Sequence, residues 1–463
     1  MTNLFSKSVL ITFSWCFLLL GYSSQSVGQS PTVGLLLHDN EVSEGYTLFS
    51  PEQGQTVVLI NNCGEVINEW AFSGSLGFVS YLRNDGSVLR AGQGLLEIRD
   101  WNNNLVWSYE TQTNGLGLHH DVEPLENGNI LAIISETFSA SEIIEAGRDS
   151  AIVGEDFKLD GIVEIQPVGV NGAQIVWEWW FSDHLVQDFD SEKLNYGVTS
   201  EHKELLNINL DPVPSAPNWT HVNSIDYNAE LDQIIFSSRN LSEVFIIDHT
   251  TSTLEASGHA GGSAGKGGDI LWRWGNPDNY GQAEGPLDKK LYQQHDAKWI
   301  QEGYLNAGSI SVFNNGGNGN DFSSIHVIEP SIENGDYQLE NGSFLPVDFE
   351  WTWSGSILGS PLNEHRKSGV QALLNGNVLI CESSKGHISE ITEDGIPLWV
   401  YRNPFVGGSV VNQYDFVLLE QNSIFRAQKY AVDYSGLLGF DLTPGQILEN
   451  ENNLSQECAL ITG

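Results

Sequence analysis

Apolar residues fall along this chain in short runs separated by turn residues, and no long stretch carries a convincing 3.6-residue period. One signature organises the runs: an apolar residue, Trp, any residue, then Trp or Tyr. It appears as Val106-Trp107-Ser108-Tyr109, Val176-Trp177-Glu178-Trp179 and Leu271-Trp272-Arg273-Trp274, and returns as Trp351-Thr352-Trp353 and Leu398-Trp399-Val400-Tyr401. Ile67-Asn68-Glu69-Trp70 is a degenerate first copy, which makes six. Upstream of most copies lies a strand with alternating apolar positions, at 95–98, 162–165, 244–247 and 387–391. Turns such as Asn171-Gly172 and Asp394-Gly395 separate the two strands, as in hairpins. A third strand type follows Asn127-Gly128-Asn129 and Asn375-Gly376-Asn377, at 130–134 and 378–381.

Repeats of three or four short strands, spaced by about 40 residues plus loops, mark a β-propeller. A small twisted sheet buries its aromatic face only when a neighbouring sheet stacks on it. Six copies predict an all-β, six-bladed β-propeller occupying residues 29–463 as one domain. A β-sandwich or a pair of barrels would not generate this aromatic repeat. Insertions rich in Gly, Ser, Asp and Asn fall at about 136–160, 180–218, 254–268 and 278–292, and read as loops shaping one mouth of a central funnel.

Composition changes the picture at the N-terminus and in the charge. Residues 1–28 read as a signal peptide: Lys7 is the one charge, an apolar run spans 9–20, and Ser26-Val27-Gly28 offers small residues for cleavage. The run is short for a membrane span, and Cys16 lacks a lipoprotein context, so an exported, periplasmic or extracellular protein without a membrane anchor is expected. Cleavage removes one of 20 basic residues and none of 60 acids, leaving −41, a balance that repels nucleic acid and anionic membranes. Cys63, Cys381 and Cys458 would remain, and either one bond from Cys63 to Cys458 or free buried thiols fit an odd count.

The candidate chemistry is histidine at a recurring position. Aligned through their turns, the repeats place His119-His120-Asp121, Trp219-Thr220-His221-Val222-Asn223-Ser224 and Gln293-Gln294-His295-Asp296 at the start of equivalent strands, and Ser368-Gly369-Val370-Gln371 at the same place in the last blade. Innermost propeller strands converge on the axis, so His120, His221 and His295 would face one cavity. Ser237-Ser238-Arg239-Asn240 follows on the next strand after His221. Arg239 in so acid a chain fits a sulfate or carboxylate, through its planar fork of donors. The competing readings are His-Asp pairs that merely tie blades together, a buried ion pair between Arg239 and an acid, a three-His metal site of a propeller hydrolase or lyase, without any close-spaced ligand motif, or a non-catalytic propeller that binds a glycan or peptide.

Together with Trp272-Arg273-Trp274-Gly275-Asn276-Pro277, Phe313-Asn314-Asn315-Gly316 and Tyr401-Arg402-Asn403-Pro404, these motifs resemble the bacterial arylsulfate sulfotransferase family over about 45–443. The resemblance implies a six-bladed propeller that moves a sulfuryl group from an aryl sulfate to a phenol, without a nucleotide donor, cofactor or metal. It implies His295 as the nucleophile forming a sulfohistidine, and His221, Asn223 and Arg239 as ligands of the sulfuryl oxygens. One of His119 and His120 would bind or transfer a proton, and repeat alignment selects His120; Ser368 falls near a further hydroxyl contact. Some members add an N-terminal dimerisation domain or a disulfide near the nucleophile's blade, and neither feature is found in this sequence. Oligomeric state is therefore not carried over.

Overall fold

Six antiparallel sheets of four core strands repeat around a ring in the computed structural model. The structure describes residues 31–449, apart from 75–76, 155, 214–216, 284–287 and 317–321. The expected signal segment, Cys16 and Cys458 lie outside the described residues. From the innermost strand outward, blade 2 is Gly77–Leu82, Val88–Gly92, Leu95–Arg99 and Leu105–Glu110. Blade 3 is Val122–Pro124, Ile130–Ser139, Asp156–Val168 and Gly172–Trp180; blade 4 is Val222–Asn228, Gln233–Ser238, Glu243–Asp248 and Trp272–Trp274. Blade 5 is His295–Trp299, Ile310–Asn314, Ser324–Ile328 and Trp351–Trp353; blade 6 is Gly369–Ala372, Val378–Glu382, His387–Ile391 and Pro397–Arg402.

Blade 1 is composite. Its outer strands Tyr46–Pro51, Thr56–Asn61 and Val66–Ala71 take their innermost partner, Ile424–Tyr430, from the far end of the chain. In return the early strand Gly34–His38 adds a fifth strand to blade 6, against Pro397–Arg402. The ring is thus stitched twice.

The Trp repeat has a single structural meaning. All six copies form the fourth strand of a blade. Five of them send an indole N–H into the connection between third and fourth strands of the next blade: Trp70 to Asp100 O (2.9 Å), Trp107 to Gly172 O (2.7 Å), Trp177 to Thr251 Oγ1 (3.2 Å), Trp272 to Leu345 O (2.9 Å) and Trp399 to Asn62 O (2.7 Å). In blade 5 the indole of Trp353 lies against Gly395 in the equivalent turn, where a Cβ would sit 2.0 Å from Nε1. Gly395 also has φ +82°, a second reason for glycine there.

Between each pair of blades lies one apolar layer, six in all. The near-continuous apolar strands follow from this, because successive side chains point to opposite sheet faces. Val57 packs toward blade 2 and Val58 toward blade 6; Ile234 packs toward blade 3 and Ile235 toward blade 5.

Nearer the axis the blades are joined by polar bonds. Tyr81 donates to Asp121 Oδ1 (2.7 Å), and Asp121 Oδ2 accepts the Ile225 amide (3.3 Å). Asp226 accepts the Trp299 amide (2.7 Å), Asp296 the Val370 amide (2.9 Å), Gln371 the Lys429 amide (2.8 Å), and the Tyr430 hydroxyl the Leu82 amide (2.9 Å). That circuit passes through all six interfaces. Arg426, from the last strand, crosses it: its guanidinium is 3% exposed, pairs with Asp121, and lies 3.1 Å from Asp296. Burial opposes the charge on Arg426, but the two aspartates outweigh it and hold the group firmly protonated.

Two sequence expectations are corrected. The 136–160 insertion is largely regular: the second and third strands of blade 3 continue to Ser139 and from Asp156, paired throughout, with helix Ala140–Glu145 at the tip. The alternating polar residues of this hairpin hid its strand character. The 254–268 insertion joins third and fourth strands, the class of connection at the opposite end of a blade from the strand entries that carry the histidines. It therefore does not line the same mouth. Among the cysteines, Cys63 is disulfide-bonded, while Cys381 is a buried free thiol.

Replacing Arg426 by Ala removes the cation in direct contact with two buried carboxylates, Asp121 and Asp296. The expected cost is about 3–5 kcal/mol, read as a lower urea midpoint at unchanged m-value; a cost under about 1 kcal/mol would show that the ring does not lean on this residue.

Candidate active site

The chain enters the innermost strands of blades 3 to 6 through left-handed backbone. His120 has φ +57°, His221 +50°, Asp296 +56° and Ser368 +76°. Such conformations cost a non-glycine residue about 1–3 kcal/mol each and persist where the surroundings enforce them. The inner strands of blades 4 and 5 are also bulged, between Val222 and Ser224 and between His295 and Lys298. A bulge re-aims side chains at a strand end.

These turns bring His119 and His120, at the entry to blade 3, together with His221 of blade 4. The His120 ring lies 4.9 Å from that of His221 and 5.0 Å from His119, with Phe78 and Phe425 flanking it at 6.4 and 6.1 Å. His119 Nε2 is 3.0 Å from Asp160 Oδ1, and its Nδ1 is 2.7 Å from His120 Nδ1. A carboxylate only accepts, so Nε2 of His119 carries its proton and Nδ1 accepts from His120. This tautomer leaves His120 Nε2 with a lone pair. Asp160 is anchored in turn by Thr220 Oγ1 (2.7 Å) and the Val222 amide (2.6 Å).

His295 is 2% exposed. Its Nδ1 is 2.7 Å from Asn315 Oδ1. The Asn315 amide nitrogen is committed to the carbonyls of Glu364 (2.9 Å) and Lys367 (3.0 Å), so its oxygen is what faces the ring. Nδ1 therefore holds the proton and Nε2 the lone pair, toward which the Lys367 backbone N–H points at 3.1 Å. Arg239 is half-buried and, among the described residues, has no carboxylate partner. It is oriented by two neutral oxygens, Asn240 Oδ1 at 3.0 Å and Gln293 Oε1 at 2.8 Å. Asn223 is fully buried; its amide nitrogen donates to Gln294 O (2.7 Å), and its Oδ1 has no partner among the described residues.

Arylsulfotransferase (ASST) is the family whose model matches residues 84–326, a span covering His119 through Asn315. The chain belongs to this family. No curated protein sequence matches the chain significantly. Solved structures similar to it include a Bacteroides caccae protein of unknown function, 12% identical, covering 84% of this chain and 99% of its own, TM-score 0.42. Virginiamycin B lyase from Staphylococcus aureus is 10% identical, with coverage of 85% and 97% and TM-score 0.37. The Cps50 (Swd1) β-propeller domain of Myceliophteria thermophila is 11% identical, with coverage of 81% and 86% and TM-score 0.38. At such distances none informs the chemistry. Members of the ASST family are sulfotransferases of small molecules, and among the described residues no helix is long and apolar enough to cross a membrane.

Within this family member, the site's electrostatics favour neutral imidazoles beside a fixed cation. Burial first, then Arg239, push the His221 pKa down to about 4. Burial likewise drives His295 well below its ordinary value, opposed by its bond to Asn315 and helped by His221, Arg239 and Arg426. His120 is lowered well below too, by burial and then by its histidine neighbours. Burial and then Arg366 lower the Arg239 pKa from its ordinary value, and a guanidinium in a protein still keeps its charge.

Of the residues singled out in the sequence, His119, His120 and His221 form one cluster, and His295 and Arg239 are close enough to shift the titration of its members. Ser368 differs. It is fully buried and its Oγ accepts the Ser383 amide (3.1 Å), so the hydroxyl is engaged within blade 6, and the neighbouring Lys367 amide reaches His295 instead. Sequence reasoning assigned no role to Asn315, Asp160 or Gln293. Asn315 stood in the Phe313-Asn314-Asn315-Gly316 motif, which was the available signal.

By NMR, His221 should titrate with a midpoint near 4 rather than near 6.5. A folded-state pKa below the unfolded one means that unfolding takes up a proton between these values. Stability should therefore fall as the solution is acidified from about 6.5 toward about 4, and His221→Gln should flatten that part of the pH–stability curve.

Proposed function

We propose that this protein moves a sulfuryl group from an aryl sulfate to a phenolic acceptor through a sulfohistidine on His295. The observation that carries the reading is the fixed tautomer of His295, whose Nδ1 proton is held by an oxygen that can only accept. Nε2 is then a neutral nucleophile, and burial beside cations keeps it so at neutral pH.

In the first half-reaction, the Nε2 lone pair attacks sulfur as the sulfur–aryloxide bond breaks, and the phenolate leaves with the bonding electrons. The donor takes the place of the Lys367 amide at Nε2, and that amide becomes a donor for a sulfuryl oxygen. Arg239, His221 and the second N–H of the Asn223 amide, whose first is held by Gln294 O, are the further donors to the developing charge, and Arg239 suits the task because no carboxylate among the described residues neutralises it. The sulfo-imidazole keeps its Nδ1 proton on Asn315, so the group that departs in the second half-reaction is neutral imidazole. An acceptor phenol loses its proton to His120 Nε2, its oxygen attacks sulfur, and the sulfur–nitrogen bond breaks to restore His295. The Asp160–His119–His120 chain of hydrogen bonds spreads the charge that His120 then carries. Phe78 and Phe425, flanking His120, offer faces on which an aryl ring can stack. Export to the periplasm or the exterior fits these substrates and the acidic surface.

The test is turnover of a chromogenic aryl sulfate with and without added phenol. His295→Ala should abolish transfer and Arg239→Ala should lower kcat by roughly 10²–10³-fold, with ping-pong kinetics in the wild type. Donor alone should leave an acid-labile sulfuryl group on the peptide containing Gln294-His295-Asp296. Asn315→Ala should lower kcat, whereas Asn315→Asp should move the acidic limb of the pH–rate profile upward, because a carboxylate raises the imidazole pKa. Wild-type rates in His295→Ala, or hydrolysis indifferent to phenol, would overturn the assignment.

A further inference from the structure

A second histidine cluster lies away from the strand entries, beside the outermost strand of blade 3. His184 follows the short 3-10 turn Phe181–Asp183, and His259 and Asp269 come from the connection between the third and fourth strands of blade 4. His184 is fully buried, its ring stacked on Trp179 at 5.4 Å and 8°. Its Nε2 lies 2.8 Å from the Ala256 carbonyl oxygen. A carbonyl only accepts, so Nε2 carries the proton and Nδ1 presents a lone pair.

That lone pair points at another acceptor. His184 Nδ1 is 3.0 Å from Asp269 Oδ1, and the same oxygen is 2.7 Å from His259 Nδ1. The ligand atoms of all three residues lie within 4.8 Å of one another, the one such grouping of three among the described residues. Two acceptors at 3.0 Å need a cation between them, either a second proton on a ring sealed from solvent or a metal ion. The surroundings suit the metal. A carbonyl on the remote nitrogen of a ligating His is the usual support that fixes its tautomer and ring plane. Loop 256–269 is shaped for it: a Cβ on residue 268 would come 2.0 Å from Ala256 O and 2.7 Å from His184 Nε2, so this approach requires Gly268. His259, 61% exposed, leaves a path for the ion and a coordination position for water.

We propose that His184 Nδ1, His259 Nδ1 and an oxygen of Asp269 bind one divalent transition-metal ion of the zinc class, clamping the 180–218 insertion to blade 4. Two imidazoles, one carboxylate and water form a familiar zinc donor set. The inference is independent of the sulfuryl-transfer reading, because neither residues nor chemistry are shared.

The test uses the full chain stripped by chelator, titrated with Zn²⁺ against a chromophoric indicator and checked by elemental analysis. One tight equivalent per chain is expected, with a metal-dependent rise in Tm and, with Co²⁺ substituted, a visible ligand-field band. His259→Ala and Asp269→Asn should each weaken that equivalent by about 100-fold or more and remove the rise in Tm. Because His259 is exposed, His259→Ala should keep the metal-free far-UV spectrum and metal-free Tm of the wild type. The proposal is overturned if the wild type binds no tight equivalent and His184 is instead a doubly protonated imidazolium by NMR. It is equally overturned if His259→Ala and Asp269→Asn bind like the wild type, or if His120→Ala with His295→Ala abolishes the binding, which would place the ion among the other histidines.

Discussion

The guanidinium of Arg426 reaches from blade 1 across to Asp121 of blade 3 and Asp296 of blade 5, with a third approach to the Asn223 carbonyl of blade 4 at 3.4 Å. Each of those aspartates also accepts a backbone amide from the blade beyond it. One cation thus pairs with two carboxylates that hold four blades in register, in a place where unpaired charge would be prohibitive. The same cation is felt by His120 and His295, whose protonation it opposes. One group thus supports the ring and adds to the burial that keeps His120 and His295 neutral.

Outside that hub the fold is built in shells. Apolar layers fill the wedges between blades, and indole donors bind the outer strands to the next blade's turn. Rigidity on both sides of a strand entry is what allows His120 and His221 to stay in left-handed backbone. Strain of that kind, stored where a side chain must be aimed, is affordable only on a scaffold that cannot relax it away.

The parts legible in the sequence were those that repeat. Trp70, Trp107, Trp177, Trp272 and Trp399 perform the same contact in successive blades, so their spacing announced the architecture. The histidines were visible because they too occupy one recurring place. Asn315 acts through a tautomer that depends on which carbonyls its amide meets, and these lie on the approach to another blade. Lys367 contributes a backbone amide, for which residue type carries no signal. Arg426 escaped notice because its strand belongs spatially before the first blade and sequentially after the last. Ser368 also stands at a strand entry, and its oxygen accepts an amide inside blade 6.

The double stitch between the two ends of the chain has a consequence for biosynthesis. Chains are made from the N-terminus, and Tyr46–Pro51 must wait for Ile424–Tyr430 before its sheet has an inner strand. Closing so long a loop is slow, although its entropic cost grows only logarithmically with length. Because that last strand carries Arg426, a nascent chain can stack blades 2 to 5 and still hold Asp121 and Asp296 without their shared counter-ion. The histidine site thus comes into being with the final strand, so that an incomplete chain holds its parts without yet holding a catalyst.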